Sequence, residues 1–323
     1  MPTTETPTAQ ATMRAIAAPT WGAPDVLESV TVPRPEPGPT EILVAVHAAG
    51  VNPSDWKGRA TGGFDQWGDP PILGYDVSGV VEAVGPGASL FAPGDEVFGM
   101  PRFPEQAGGY AEYVAAPSRH FARKPEGLDH IHAAALPLVG LTAWQALAEV
   151  AQVQPGQRVL IHAAAGGLGH VAVQVAKALG AYVIGTASAP KHELLRSLGA
   201  DELIDYRETD FAEVLRDLDV VLDTIGGDYA LRSLAVLRPG GTHVSLPRPT
   251  DPSVDVRARE LGVSTGWTLV EPDRGGLLAI SELVESGQLR VEVAAVFPLA
   301  EAAEAHRLGE SNRTTGKIVL AVR

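Results

Sequence analysis

The sequence of 323 residues contains no cysteine. This absence excludes disulfide bonds, zinc sites built on thiolates and a cysteine nucleophile. Basic residues are also few: 25 Lys and Arg stand against 39 Asp and Glu, which gives a net charge of −14. Such a chain is a poor partner for nucleic acids or anionic membranes, because both attract positive charge. We therefore expect no nucleic-acid partner.

Long apolar runs are lacking too. No run approaches the roughly 20 residues that span a bilayer, and residues 1–12 are polar and rich in threonine. This stretch has neither the basic region nor the apolar region of a signal peptide. We expect a cytoplasmic protein without membrane contact, in which residues 1–12 form a disordered leader.

The most informative segment runs from Arg158 to Lys177. An apolar strand leads into a turn of small residues, and a helix with an apolar face follows. Ala163, Gly166 and Gly169 stand three apart, as in the dinucleotide fingerprint, whose small residues let the backbone approach a pyrophosphate at a helix N-terminus. A tight turn needed only for close packing is the alternative. The position between a predicted strand and a predicted helix favours the nucleotide site.

Two patterns of secondary structure divide the chain near Pro137. Before it, Gly-Pro turns separate short predicted strands, which indicates a compact β domain or a partly open barrel. These strands are Met13–Ala17, Glu41–Ala48, Val77–Val84, Glu96–Met100 and Ala111–Ala115. From 290 onward a strand, a helix and a final strand are predicted.

After Pro137 and a first helix over 138–151, strands and helices alternate, which is typical of an α/β fold with a doubly wound parallel sheet. The predicted strands are Val159–His162, Tyr182–Thr186, Glu202–Asp205, Val220–Asp223, Thr242–Leu246 and Val263–Val270. Helices are predicted over 168–180, 190–198, 208–217, 228–238 and 274–287.

Several motifs occur together in the order of a known family. They are Gly50–Lys57, Gly74–Gly85, Pro93–Gly99, Gly108–Val114, Leu136–Trp144, the fingerprint and Gly316–Leu320. With them the chain resembles the medium-chain dehydrogenase/reductase superfamily, in the zinc-free quinone oxidoreductase branch that includes zeta-crystallin. The resemblance implies a GroES-like substrate domain over 13–136, completed by 290–323, and a Rossmann domain over 137–289. The active site would lie in the cleft between them.

The resemblance also implies an activity and an assembly. The activity is NADPH-linked reduction of quinones or α,β-unsaturated carbonyl compounds. Members of the superfamily are commonly homodimers whose Rossmann sheets join edge to edge. The apolar strand Val263–Val270 is our candidate for that edge.

The second predicted strand of the sheet ends without an acidic residue. NAD-binding proteins usually place Asp or Glu there, roughly 20 residues after the fingerprint, to bind the ribose hydroxyls. Here the first acid is Glu193. Ser188 can donate a hydrogen bond to a 2′-phosphate and Lys191 can supply charge, although a lysine at a helix start is as often a plain surface residue. Taken together, these features favour NADP over NAD.

The resemblance implies further contacts with the cofactor. It places Tyr206 beside Ser188 and Lys191 at the 2′-phosphate, where Arg207 either assists or is a solvated cation. The other implied cofactor residues are Thr142, Ala165, Gly166, Gly167, Leu168, Ser245 and Lys317. Asp223, at the end of the fourth predicted strand, either lines this site or ends a plain turn.

Zinc-dependent relatives carry cysteine and histidine ligands where this chain has neither. The first ligand region reads Val51–Ser54 and the second reads Gly74–Asp76, so we expect no metal. Hydrogen-bond donors must then stabilise the oxygen that becomes negative as hydride reaches the substrate. By the family motif, Asn52 is the candidate polar contact with substrate or nicotinamide. Tyr75 is the candidate phenolic donor.

The aromatic residues leave alternatives open. The branch often has a tyrosine after the Asn-Pro motif, but Trp56 stands there as an aromatic wall with only an indole donor. Tyr110 is a nearby phenol that is more typical of packing. Phe64, Trp67 and Phe103 lie in predicted loops and either line an apolar substrate pocket or pack locally.

Three functions remain compatible with these residues. The first is a general NADPH-dependent quinone or enone reductase. The second is a reductase dedicated to one biosynthetic, polyketide-like intermediate, with the same hydride chemistry. The third is a protein that binds NADPH without catalysis.

Overall fold

The computed structural model describes residues 11–62, 68–248 and 251–323. Most of the expected leader lies outside these residues, as do Phe64 and Trp67. Thr12, however, already pairs with Pro33 in the first strand. The leader was therefore predicted to extend one residue too far, because the pairing partner Glu28–Pro33 was not recognised as a strand.

The first part of the chain is rich in antiparallel strands. Its strands are β1 (Thr12–Ala17), β2 (Glu28–Pro33), β3 (Glu41–Val51), β4 (Asp76–Val84), β5 (Glu96–Gly99), β6 (Tyr113–Pro117) and β7 (Phe121–Arg123). Its helices are α1 (Pro53–Thr61) and α2 (His130–Ala134). The long strand β3 is central, since both β4 and β6 pair with it. It ends directly before α1, which carries the Asn-Pro motif.

The helix α3 (Pro137–Trp144) leads into the second part and continues as a π-helical segment over Gln145–Val150. Six parallel strands follow: β8 (Arg158–Ile161), β9 (Tyr182–Thr186), β10 (Glu202–Ile204), β11 (Leu218–Asp223), β12 (Leu237–Ser245) and β13 (Ser264–Trp267). Their order in the sheet is β10-β9-β8-β11-β12-β13. In chain order this is the Rossmann arrangement 3-2-1-4-5-6, so the predicted doubly wound sheet is confirmed.

The helices of this second part connect the strands. They are α4 (Gly169–Ala178), α5 (His192–Ser197), α6 (Phe211–Val214), α7 (Asp228–Val236), α8 (Ser253–Leu261) and α9 (Arg274–Glu285). The helix predicted over 208–217 is much shorter than expected. Asp210 caps its start, and Leu215 is already extended, which ends the helix after one turn. The strand predicted over Val263–Val270 is likewise only four residues long, and it lies at the edge of the sheet.

The end of the chain returns to the first part. The elements are β14 (Val293–Pro298), α10 (Ala302–Glu310) and β15 (Lys317–Ala321). β15 runs antiparallel to β3, with Ile318 opposite Val51, and parallel to β14. This pairing builds a seven-stranded sheet in which Lys317 lies one residue from the end of β3. The two parts are called the substrate half (11–136 and 290–323) and the nucleotide half (137–289) below.

One apolar cluster joins the two halves. It includes Phe98 and Met100 of the substrate half, Leu141 of α3, and Ile161 and Val171 beside the sheet of the nucleotide half. Buried apolar contact of this extent holds the halves in one arrangement, since separating them would expose the cluster to water. No helix in the described ranges is both long and apolar enough to cross a membrane.

Candidate active site

The fingerprint forms a tight turn between β8 and α4. We define the fingerprint turn as Ala163–Gly169. An added Cβ at Gly169 would lie 2.4 Å from the carbonyl oxygen of Ala163 and 2.7 Å from the Cα of Ala164. A side chain at this position would therefore push α4 away from the turn. The main-chain N–H of Gly166 closes the turn on the Ala163 carbonyl at 2.9 Å.

The turn presents main-chain donors at the start of α4. Among the described residues, no hydrogen bond is formed by the main-chain N–H of Gly167 or Leu168. The first N–H groups of a helix have no partner within the helix, and the helix dipole makes this end positive. Such donors fit the pyrophosphate of a dinucleotide. The arrangement thus fits the expected cofactor, and the contacts of Ala165, Gly166, Gly167 and Leu168 with it stay predictions.

The residues expected at a 2′-phosphate come together after β9 and β10. The two strands pair with Ile204 opposite Thr186, so the segments that follow them are neighbours. Ser188 is buried and Tyr206 is half exposed. The Lys191 ammonium group lies 3.2 Å from the carbonyl oxygens of Arg313 and Thr314. The returning segment of the substrate half therefore reaches this corner of the nucleotide half.

An acidic residue, Asp205, lies at the same corner. Asp205 follows β10, and its carboxylate accepts hydrogen bonds from the main-chain N–H of Ala189 at 2.9 Å and of Arg207 at 3.0 Å. These main-chain bonds hold the pKa of Asp205 below its ordinary value. The preference for NADP was inferred from the end of β9 alone, whereas the neighbouring predicted strand, Glu202–Asp205, also ends on an acid.

Three further predicted cofactor residues use their hydroxyl or carboxyl groups within the protein. The Thr142 hydroxyl donates to the Leu138 carbonyl at 2.6 Å, and the Ser245 hydroxyl donates to the Pro247 carbonyl at 2.8 Å. Asp223 is buried and accepts bonds from the N–H groups that follow it, while its other oxygen lies 3.3 Å from a histidine nitrogen. These bonds fit the interpretation of Asp223 as a turn residue. Both hydroxyl oxygens keep the capacity to accept a bond from a ligand.

A cluster of buried polar side chains lies where β3, β4 and β15 meet. We call Asn52, Asp55, Asp76 and Lys317 the Asn52 cluster; all four are buried. The Asn52 amide nitrogen donates to Asp76 at 2.8 Å, and the Lys317 ammonium group donates to the Asn52 side-chain oxygen. The Lys317 ammonium also donates to the Val51 carbonyl at 3.0 Å. Asp55, in the first turn of α1, accepts from the Asn52 main-chain N–H at 2.7 Å.

Burial has the largest influence on the pKa values of this cluster. It raises the pKa of Asp76 and lowers that of Lys317, because each charged form loses hydration. The two groups lie 3.5 Å apart, and the charge of each opposes the shift that burial causes in the pKa of the other. Burial also raises the pKa of Asp55 to about 7. The cluster therefore places one cation and two carboxyl groups in a region shielded from water.

The two tyrosines named by the sequence are both buried. Tyr75 packs its ring edge against Phe103 with the ring centres 4.8 Å apart. Burial raises its pKa, and the charge of Asp55 adds to this effect. The Tyr110 hydroxyl lies 3.2 Å from His306, inside the substrate half. This environment fits the interpretation of Tyr110 as a packing residue.

Trp56 does not have the environment expected of an aromatic wall. Its ring packs against α10, where an added Cβ at Gly309 would lie 2.6 Å from the indole. The ring of His306 also contacts it, with centres 6.4 Å apart. Trp56 thus fills the space between α1 and α10, which is available because position 309 has no side chain.

A cavity of about 490 Å³ opens between the halves. Phe103 and Pro104 line it from the substrate half, and Leu269, Val270 and Pro272 line it from the segment after β13. The Phe103 ring also contacts Tyr75, the residue before Asp76. A second cavity of about 310 Å³ lies within the substrate half and has no lining residue from the nucleotide half. The first cavity has a mixed lining, since Arg102, Glu105 and Glu271 also line it, and its volume suits a small organic ligand.

Metal-ligating side chains are not gathered at the cleft. Within the described ranges, no group of three or more His, Asp or Glu side chains is placed to hold a metal ion. The candidate donors to a substrate are the Asn52 amide and the Tyr75 phenol. They can donate hydrogen bonds to an oxygen that gains negative charge.

Comparison with known proteins agrees with this architecture. The family model described as "Alcohol dehydrogenase GroES-like domain" matches residues 38–126, and the model described as "Zinc-binding dehydrogenase" matches residues 198–320. A 2-haloacrylate reductase from a Burkholderia species is 38% identical over 328 residues, which cover 93% of this chain and 96% of that protein. The polyketide synthase component PikAII of Streptomyces venezuelae is 37% identical over 310 residues, but the match covers 89% of this chain and only 8% of that protein.

Solved structures are also similar over nearly the whole chain. The quinone oxidoreductase from Coxiella burnetii has a TM-score of 0.91 and 39% identity, covering 97% of this chain and all (100%) of that one. The mycobacterial protein Rv1454c, solved in complex with NADPH, has a TM-score of 0.86 and 32% identity, with 96% and 100% of the two chains covered. The fingerprint turn, the sheet order and these full-length matches agree. The chain belongs to the medium-chain dehydrogenase/reductase superfamily of oxidoreductases, in its zinc-free quinone oxidoreductase branch.

Proposed function

We propose that the protein is an NADPH-dependent oxidoreductase that reduces quinones or α,β-unsaturated carbonyl compounds without zinc. One observation carries the proposal: the buried Asn52 cluster adjoins the fingerprint turn. An added Cβ at Gly167 in that turn would lie 3.2 Å from the Lys317 side chain. A dinucleotide held by the turn would thus have polar groups of the substrate half beside it.

Each half has its own task in this reaction. When bound, NADPH supplies the hydride. The N–H groups of Gly167 and Leu168 would hold the pyrophosphate, and Ser188 with Lys191 would hold the 2′-phosphate. The amide nitrogen of Asn52 has a second N–H beyond the one donated to Asp76, and this N–H can stabilise negative charge on the substrate oxygen.

Phe103 and Val270 give the interdomain cavity an apolar wall, while Arg102 and Glu271 make part of its lining charged. Such a mixed lining suits an acceptor with an apolar ring and polar oxygens. The activity test is NADPH oxidation with a panel of quinones and enones, after dialysis against a chelator. We expect turnover that survives chelation. Tight NADPH binding without turnover on the panel would favour the non-catalytic alternative, and a strict zinc requirement would contradict the proposal.

The choice of NADPH over NADH has its own test. Ser188→Glu places a carboxylate where the 2′-phosphate would lie. We expect the Kd for NADPH to rise more than about tenfold, while the Kd for NADH changes little, since NADH has no phosphate to repel. The matched control is Ser197→Glu, at an exposed serine on α5. An equal loss of affinity for NADPH and NADH would argue against a 2′-phosphate site at Ser188.

A second candidate is reduction of one biosynthetic intermediate. The similarity to a polyketide synthase component favours it, although the chain spans only 8% of that protein. Comparing kcat/KM for simple enones with that for enoyl thioesters of increasing chain length separates the two candidates. A preference of several hundredfold for a long thioester would support the dedicated reductase.

We also propose a homodimer joined through β13. This strand is an edge of the parallel sheet and exposes Trp267, 41% of whose surface is accessible. An unpaired edge can pair with a second copy. We expect sedimentation to give a dimer, and Trp267→Lys to shift the protein toward the monomer. A monomer at all concentrations would contradict this proposal.

A further inference from the structure

Lys317 is buried at the boundary of the two halves, with 3% of its surface accessible. The resemblance implies that it binds the cofactor. Its ammonium group, however, has three partners that all belong to the substrate half: the Val51 carbonyl, the Asn52 side-chain oxygen and Asp76. An ammonium group has three protons. Its donor capacity is therefore matched by these partners.

The partners of the Asn52 amide allow only one orientation. Its oxygen accepts from the Lys317 ammonium, and its nitrogen donates to Asp76 at 2.8 Å. Rotation of the amide by half a turn would place its NH2 against the ammonium and its oxygen against the carboxylate. Both contacts would then be repulsive, and both groups would lose a buried hydrogen bond. The ion pair of Lys317 and Asp76 thus determines which way Asn52 points.

The Lys317 side chain is itself fixed from both halves. Its methylene groups pass the fingerprint turn, since an added Cβ at Gly167 would lie 3.2 Å from the lysine Cδ. The main-chain N–H of Gly316 donates to the Ala165 carbonyl at 3.1 Å, and that of Lys317 donates to the Glu292 carbonyl at 2.8 Å. These contacts fix the position of Lys317 relative to the turn that is expected to hold the pyrophosphate.

We propose that Lys317 is a positioning residue of the substrate site, which acts through Asn52 rather than as a ligand of the cofactor. Together with Asp76 it holds the Asn52 amide so that one N–H remains for the substrate oxygen. This inference rests on the proposed function for the identity of that oxygen. The fixed orientation of Asn52 does not depend on it and can be measured separately.

The first measurement needs no turnover. The side-chain NH2 signal of Asn52 in ¹⁵N-labelled protein is identified as the signal missing from Asn52→Ala. In the wild type we expect its two protons to exchange with water at different rates, because one is bonded to Asp76. In Lys317→Met we expect exchange of the bonded proton to become more than about tenfold faster, since the amide can rotate. Unchanged exchange would overturn the proposal.

The second measurement separates positioning from cofactor binding. In Lys317→Met we expect kcat with an enone to fall at least about tenfold, with the Kd for NADPH within about twofold of the wild type. Lys317→Arg keeps the charge but not the shape, so it should retain more activity than Lys317→Met. A rise in the Kd for NADPH as large as the fall in kcat/KM would identify Lys317 as a cofactor ligand and overturn the proposal.

The matched control is Lys124→Met. Lys124 is also mostly buried, with 9% of its side chain accessible, but it pairs with Glu96 away from the cleft. The Lys124→Met variant should leave kcat and the exchange rates of the Asn52 side-chain protons unchanged. If Lys317→Met does not fold, Lys317→Gln takes its place with the same expected results, because it removes the charge but can still donate a hydrogen bond to the Val51 carbonyl. If the wild type turns over no quinone or enone, the proposed function fails, and the exchange rates still decide the orientation of Asn52.

Discussion

The two halves of the molecule bury polar groups in different ways. In the nucleotide half, the buried polar side chains at the sheet are histidines with hydroxyl or carboxyl partners, such as His162 with Ser233 and His243 with Asp223. In the substrate half, ionisable groups of both signs lie side by side: Asp55, Arg59, Asp76 and Lys317 are all buried. Near the cleft, the substrate half thus groups buried acids and bases side by side, whereas the buried Asp223 of the nucleotide half lies beside a histidine.

Under the proposed function, this difference follows from how each half would hold its ligand. The fingerprint turn would use main-chain N–H groups, which any residue can supply if the chain can take the shape. The Asn52 cluster consists of side chains, each with a specific partner. Substitution of one member would therefore leave its partner buried without a hydrogen bond, in a medium of low dielectric constant. We therefore expect the nucleotide half to be destabilised most by substitutions that change side-chain shape. The substrate half should be destabilised most by substitutions that change side-chain charge.

The largest effect should come from breaking the buried ion pair. Asp76→Ala leaves Lys317 without its carboxylate and Leu138 N–H without an acceptor, and we expect a loss of about 3–5 kcal/mol in the free energy of unfolding. Arg257→Ala is the control, since that arginine pairs with Glu260 at the surface. It should cost less than about 1 kcal/mol. Urea unfolding measures both, and similar losses would contradict the contrast between buried and exposed charges.

A change of shape in the nucleotide half should rank second. Gly169→Ala adds a methyl group that would lie 2.4 Å from a carbonyl oxygen of the turn, so we expect about 1–3 kcal/mol of destabilisation despite the better helix propensity of alanine. The Kd for NADPH should also rise. Gly166→Ala is the matched control, because its added atom would meet the same oxygen at 3.2 Å. Equal costs for the two variants would show that the turn can relax.

The pH dependence of stability tests the charges of the substrate half. The pKa of Asp55 rises from 3.8 to about 7 on folding, so the folded protein holds the proton that the unfolded chain releases between those values. The stabilisation is therefore complete below about pH 4 and is lost as pH rises toward 7. Asp55→Asn keeps an oxygen for the Asn52 N–H but does not titrate.

The difference in unfolding free energy between the wild type and Asp55→Asn should accordingly fall with rising pH. The slope is at most about 1.4 kcal/mol per pH unit, and the difference should level off above pH 7. Denaturant titrations at pH 5, 6, 7 and 8 give this slope, and a flat difference would mean that Asp55 is ionised throughout. The groups that act on Asp55 are Asp76 and Lys317 beside it and Tyr110 across the cluster.

The smallest effect concerns the candidate phenol. Tyr75→Phe removes the hydroxyl and keeps the ring that packs on Phe103, so the variant should still fold. We expect kcat to fall less than about tenfold, since the site then depends on Asn52 and on positioning. Asn52→Ala should also reduce turnover without abolishing it. Complete loss in folded Tyr75→Phe that still binds NADPH would identify Tyr75 as the essential proton donor.

The sequence predicts the nucleotide half better than the substrate half for a physical reason. In the parallel sheet, each strand is a local apolar run followed by a helix, and β9 has the predicted bounds Tyr182–Thr186. The exceptions are local as well: α6 stops after one turn, and the polar helix α8 was missed. Asp205 was not predicted as a site residue because it follows the third strand of the sheet, whereas a ribose-binding acid is expected after the second.

The Asn52 cluster could not be derived from spacing. Lys317 and Asp76 are 241 positions apart, and their contact depends on how β15 and β4 pair with β3. The family motif indicated Asn52, Tyr75 and Lys317, but not the partners that orient them. The helix α1 was also missed, since its nine residues are largely polar and lack a clear apolar period.

The position of β15 between β3 and β14 has a consequence for biosynthesis. A ribosome delivers every strand of the parallel sheet before it delivers Lys317. The fingerprint turn can therefore form while Asn52 and Asp76 still lack the Lys317 ammonium group. The Asn52 cluster is completed only when β15 pairs with β3.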